Sequence, residues 1–452
     1  MLFPSSNNLS VQKECPIIIN LQPTSDSIIK GCPGIPRSIP RIDTIIQIRS
    51  KTGLPFKLRS VSAQLITSQY VNLNKKLGTS SETYKDFKIF EDPLIFRSLE
   101  FVEDVLGVDI PVLIPIPKDI ISSGHSPNFN CTTLHHLFIR VFIGDSASSE
   151  ISFMEKFPVV IKLYDALPLY RQFSEVVSEA RETIDKQVLI HINMSVGSIG
   201  PGDSLPIQLR IMTNSGNNKL KKHLNVKTVT FQVKEILECF DGGLTPRKEE
   251  KIYSTTKTLN KELNTEGIVE SFNYTYPNET NLLSFFNHDK LPMNLPSENL
   301  PDYETTVIES INISNVKSFS KMPQGLGITH NHSSFTSQGK LYSIKFEIVL
   351  KFKFSKVKDL DIHLPIIVCP YNRTSSEYLL SWILEQCNIS KDKFGKYFIE
   401  NYYSSTYTNQ IQLLNRYKKS PYVYKFIRNE WIELGYNGDA FGKFKNIVSY
   451  ID

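Results

Sequence analysis

From Cys15 to about Phe173 the chain runs in short apolar or alternating stretches cut by proline, glycine, asparagine and serine. Punctuation at that interval leaves room for strands but not for long helices, which is the pattern of an all-β sandwich. Strands are expected at Ile17 to Leu21, Thr44 to Arg49, Lys57 to Thr67, His136 to Ile143 and Pro158 to Leu163. A polar segment, Ser174 to Lys186, breaks the rhythm, holds the one helix-like stretch of this region and marks a domain boundary. A second β-rich stretch follows, with strands expected at Val188 to Val196, Ser204 to Met212, Asn225 to Glu238, Gly339 to Phe354 and His363 to Cys369. In the late strand Phe346, Ile348, Leu350, Phe352 and Phe354 alternate with Lys345, Glu347, Val349, Lys351 and Lys353, so one face is core and the other is mainly wet.

A chain of 452 residues exceeds what one hydrophobic core usually supports. The division expected is a sandwich over 14–175, a second over 186–372, and a C-terminal extension over 373–452. Within the second unit, residues from about 241 to 338 are rich in Asn, Ser, Thr, Glu and Pro, and read as a long disordered insert. In the extension, Ser375 to Gln386 is expected to be an amphipathic helix capped by Ser375, with Tyr378, Leu379, Trp382 and Ile383 on one face. The aromatic residues beyond it, among them Tyr422, Trp431 and Tyr436, favour order over a disordered tail.

Lys and Arg number 51 against 46 Asp and Glu, a net charge of +5 that is too small in a chain this long to imply a nucleic-acid footprint. The six cysteines are far apart, without a C-x-x-C pair or a His at metal-ligand spacing, so they read as reduced, mostly buried thiols, and the cytosol as the compartment. No metal site or cofactor is expected. The start, MLFPSSNNLSVQKE, lacks a long apolar run behind a basic segment and is not expected to be a secretory signal. No apolar run approaches the roughly 18 residues of a membrane span.

Particular phrases carry a resemblance. GCPGIPRSIPRIDTIIQIRSKTGLPFKLRSVSAQLIT, from Gly31 to Thr67, is similar to the N-terminal arrestin domain of the fungal α-arrestins, the arrestin-related trafficking adaptors. So are DIPVLIPIP, the His135 to Ile143 strand and PVVIKLYDALPLYRQF. SIGPGDSLPIQLRI followed by NVKTVTFQVKEILE resembles the start of that family's C-terminal arrestin domain, and LPIIVCPYNRTSSE its closing strand. The resemblance implies two tandem arrestin-type, immunoglobulin-like β-sandwiches without catalytic activity. It also implies a cytoplasmic adaptor, peripheral at the plasma membrane or endosomes. In the family, such adaptors hold cytosolic parts of transporters or receptors and recruit a HECT-type ubiquitin ligase for endocytosis, through PPxY segments that bind WW domains.

This chain has no PPxY. The nearest substitute is Leu300, Pro301 and Tyr303 in LPDYE, inside the expected insert. A second LPxY, Leu167 to Tyr170, falls within a domain-edge phrase and reads as structural. The basic cluster Lys219, Lys221, Lys222, His223 and Lys227 could attract acidic cargo tails or anionic lipid headgroups, or simply be solvated. Arg37 and Arg41, flanked by prolines, are a weaker candidate of the same kind. A rival reading keeps the fold and drops the ligase, leaving a scaffold for signalling or membrane assembly. A remote one takes Gly202-Asp203-Ser204-Leu205 as the GDSL motif of an esterase, but no positioned base accompanies Ser204, since Asp361-Ile362-His363 has the wrong spacing.

Overall fold

The computed structural model describes residues 16–74, 80–97, 104–144, 151–214, 223–240, 247–277, 330–331 and 333–443. The first unit begins with β1 (Ile17–Gln22), β2 (Ile29–Lys30), β3 (Arg41–Ser50), β4 (Phe56–Asn74) and β5 (Ser80–Lys88). It continues with β6 (Leu94–Arg97), β7 (Asp104–Pro115), β8 (Gly124–Ser126), β9 (Cys131–Ile143) and β10 (Ile151–Pro158). Two ladders, β1-β3-β7 and β4-β9-β10, meet where Phe56 pairs with Val105. They enclose a core that includes Ile46, Ile48, Leu65, Val108, Leu137 and Ile139. Alternation sets the inward faces: β9 is buried at every second residue from Cys131 to Ile143.

A single helical turn, α1 (Arg171–Ser174), leads into the second unit. Here β11 (Val177–Glu182), β12 (Val188–Met194), β13 (Ser198–Ile199), β14 (Ser204–Thr213) and β15 (Asn225–Cys239) come first. β16 (Arg247–Glu262), β17 (Ile268–Thr275), β18 (Ser337–Gln338), β19 (Tyr342–Phe354) and β20 (Leu360–Val368) complete it. The sheet β11-β12-β14-β17 packs over β13-β20-β19-β15-β16 around Phe231, Ile348, Leu350, Phe352 and their neighbours. As the alternation requires, Phe346, Ile348, Leu350, Phe352 and Phe354 all point inward.

Four local expectations need correction. Residues 177–182 are strand β11, whose alternating Val177, Glu179 and Arg181 lie along the sheet edge, and the helical turn precedes them. Pro158 to Leu163 form no ladder beyond Pro158. Instead Val159 bonds His135, and Ile161 exchanges bonds with Ser123. The insert does not start at 241, because β16 and β17 complete both sheets within it; polar sequence misled since each is an edge strand wet on one side. Finally, the cap of the C-terminal helix is Asn372 and not Ser375, whose N–H donates to the Asn372 carboxamide oxygen at 2.8 Å. Asn372→Ala is therefore expected to lower stability by about 1 kcal/mol, measured by chemical denaturation. An unchanged midpoint would contradict the assignment.

The extension forms α2 (Arg373–Phe394), α3 (Lys396–Ser404), α4 (Tyr407–Asn415), β21 (Tyr422–Lys425) and α5 (Arg428–Glu433). Leu379, Trp382 and Ile383 of α2 pack with Tyr164, Tyr371 and Cys32 at the junction of the sandwiches. Phe394, Tyr402, Leu413 and Leu414 cover Ile39 and Leu113 of the first sandwich. β21 then pairs antiparallel with β7, placing Tyr422 opposite Asp109 and Val423 opposite Val108. Cys32, Cys131, Cys239 and Cys369 are buried thiols, and Cys387 a half-buried one.

Candidate functional site: the seam, the clamp and the distal tip

The two sandwiches meet through apolar contacts, with Val71, Phe129 and Cys131 of the first joining the core of the second, and through a polar seam that includes Glu235 on β15, 0% exposed. Its carboxylate accepts from Ser126 Oγ at 2.9 Å and from Asn128 Nδ2 at 2.5 Å, both supplied by the first sandwich. Burial pushes this carboxyl above its ordinary range, and hydrogen bonds from Asn128, Ser126 and Ser334 work against that shift. Beside it Thr133 Oγ1 and the Tyr342 hydroxyl lie 2.8 Å apart, and the Gln69 carboxamide accepts from the Leu341 N–H at 3.0 Å. No sequence motif announces Glu235. Its only signal was a charged residue placed where β15 should present apolar side chains.

A second link is the extension. Asp203 accepts from the N–H groups of Gly200 and Arg373, tying the turn before β14 to the first residue of α2. Further along α2, Ser390 Oγ donates to the Ser38 carbonyl at 2.6 Å and Lys393 pairs with Asp43 at 3.6 Å. Arg41 is buried, paired with Asp43 at 3.2 Å, bonded to the Ile39 carbonyl, and set over the Phe394 ring. Thus Arg41 helps seat the extension and does not offer a surface charge. Arg37 is exposed.

At the end of the second sandwich remote from the seam, the strand ends bring together the turns before β12, after β16 and between β19 and β20. The β11–β12 turn is held by Thr183 Oγ1, which donates to Asp185 and accepts from the Val188 N–H. It leaves Ile184 78% exposed. Lys186, Lys261, Lys356 and Lys358 are exposed around the same end. His223 and Lys227 of the sequence cluster lie here too, with His223 paired to Glu262. Lys219, Lys221 and Lys222 lie outside the described residues, as do Leu300, Pro301 and Tyr303.

Nothing in these places assembles a reactive centre. Ser204 Oγ has Thr275 Oγ1 as its neighbour, at 3.2 Å, while Asp203 is occupied at the turn and helix start. The GDSL tetrapeptide is therefore a structural turn leading into β14. His135 is buried between Thr67 and the Ile121 carbonyl, and burial brings it down to about 3. Leu167 is fully buried and the Tyr170 hydroxyl donates to the Tyr164 carbonyl, so that LPxY is core. Among the described residues no group of His, Cys, Asp or Glu could hold a metal ion, and no helix is long and apolar enough to cross a membrane.

Residues 185–372 match the family model of the arrestin (or S-antigen) C-terminal domain, a span that runs from the turn between β11 and β12 to the residue before α2. The chain is also similar to RHO1 GEF localizing protein 1 of Saccharomyces cerevisiae (strain ATCC 204508 / S288c), 23% identical over 475 residues. That likeness covers 90% of this chain and 92% of the yeast protein, and so takes in the first sandwich and the extension as well. Paired sandwiches, a second domain that matches the arrestin C-terminal model and a relative of similar length together support an arrestin-related family for this chain.

Proposed function

We propose that this arrestin-like adaptor works as a scaffold that positions a signalling partner, an exchange factor for a Rho-type GTPase. The observation that carries this reading is the extent of the likeness to a yeast protein named for localizing an exchange factor, spanning both sandwiches and the extension. The architecture suits it: two rigid modules joined by a polar seam and a clamp hold their outer faces in a fixed relation, and a scaffold works by raising effective concentration. The distal tip, with exposed Ile184 and the lysines Lys186, Lys356 and Lys358, would meet anionic headgroups, each lysine contributing about 1 kcal/mol near such a surface, while Lys261 is paired with Glu270. The test is to image a tagged Rho-type exchange factor in cells with and without this protein. Loss of its local enrichment is expected, and unchanged enrichment would overturn the proposal.

A ligase-recruiting role for transporter or receptor trafficking stays tied to Leu300, Pro301 and Tyr303. The absence of a PPxY weighs against it. Pull-down with isolated WW domains, comparing the native chain with Tyr303→Ala, separates the two readings, because equal recovery removes this motif from consideration.

A further inference from the structure

The outward face of the first sandwich has a composition that its fold does not require. Register places Ile95 of β6, Ser62 of β4, Arg140 of β9 and Met154 of β10 in one row across four strands. The next row is Gln64, Phe138 and Lys156, and the row on the other side is Arg97, Ser60, Phe142 and Ser152. Lys88 stands opposite Ile66 beyond them. Side-chain contacts agree: the Arg140 guanidinium reaches the Met154 sulfur at 3.8 Å, and Lys156 sits over the Phe138 ring at 5.3 Å. Ile95 is 53% exposed and Met154 48%, with Phe138 and Phe142 half-buried between them.

Cations predominate on this face, with Asp86, two residues from Lys88 on β5, as a carboxylate at its margin. Lys88, Arg97, Arg140 and Lys156 are exposed, and among the described residues no carboxylate pairs with any of them. Asp86 accepts from Ser68 Oγ at 2.6 Å, the exposed Glu91 and Asp92 lie in the turn beside Gln64, and Glu155 shares its row with buried Ile139 and belongs to the opposite side. Protection of an open sheet edge would account for Lys156 on β10. It does not account for Arg140, which lies on β9 with a neighbour on each side, nor for the exposed Ile95 and Met154.

We propose that this face docks an acidic segment of a partner protein that also carries bulky apolar side chains. Carboxylates would meet Arg97, Arg140 and Lys156, and the apolar groups would cover Ile95, Phe138, Phe142 and Met154; charge complementarity selects the occupant. The inference stands apart from the exchange-factor reading, since it rests on the face alone.

The test uses the full chain and a fluorescein-labelled peptide of alternating Glu and Phe, read by anisotropy. Binding that weakens with salt is expected, and Arg140→Glu combined with Lys156→Glu should raise Kd about tenfold or more. Met154→Glu, which leaves both cations in place, should weaken binding too. Thermal melts show that the variants are folded. Equal affinity in the double variant, or equal binding of a Lys–Phe peptide, would overturn the proposal. So would capture by phosphatidylserine vesicles that depends on the two cations while the Glu–Phe peptide fails to bind, since the face would then serve a lipid surface.

Discussion

Replacing Trp431 by alanine is expected to destabilise the first sandwich by about 3–5 kcal/mol, the usual cost of emptying a large buried aromatic site. Trp431 is 1% exposed and packs with Leu106 of β7 and Phe441, while its indole N–H donates to the Asn437 carbonyl at 2.9 Å. Its ring lies against Gly53, where an added Cβ would come within 2.5 Å of it; this glycine also has φ +79°, so its place is set both by conformation and by the indole. The loss should spread to β21, which Tyr424 anchors by donating to Asp109 at 3.1 Å, with the Arg49 guanidinium 4.6 Å from its ring. Denaturant unfolding checks the magnitude. Limited proteolysis between α4 and β21 checks the release, with Trp431→Phe as the smaller change; a variant that melts and resists protease like the native chain would remove the clamp from this account.

The second large effect is expected at Glu235→Ala. It strands Ser126 as a buried donor without its acceptor and removes the charged partner of Asn128, which is itself exposed, costing roughly 1–3 kcal/mol. Because those donors belong to one sandwich and the carboxylate to the other, the loss should also uncouple the two, and a single unfolding transition should split. The pH dependence has a definite sign. The folded carboxyl is held above its usual value of 4.5, so the contribution of Glu235 is complete below that value and declines as pH rises through the raised folded value. Glu235→Gln, neutral at every pH and still able to accept one bond, should be the milder variant and should flatten this dependence. If alanine and glutamine variants unfold at the native midpoint in one step, the seam does not couple the modules.

How much could be read along the chain depended on separation. β15 and β19 were legible because alternation over many residues reports which face is buried. The LPxY at Leu167 and the turn at Gly202 were legible as local structure for a similar reason, since their partners lie within a few residues or in the adjoining strand. The edge strands β16 and β17 were not: a half-wet strand bordered by polar loops has the composition of an insert, and only pairing with β15 and β14 distinguishes it. The basic cluster was legible as charge. The place of His223 and Lys227 at the same end as Ile184 was not, because that side chain arrives on the turn between β11 and β12.

Periodicity and turn chemistry determined that most of the chain is strands, that a boundary falls near Ser174, and, on strands of clean alternation such as β19, which side chains face the core. Tertiary structure alone decided what joins the two sandwiches. Ser126 and Glu235 are 109 positions apart, Asp109 and Tyr424 are 315, and Ser50 and Tyr436 are 386. A pattern of alternation says which way a side chain faces. It does not say which distant edge or donor will be waiting there, because that choice is made by packing the whole chain at once.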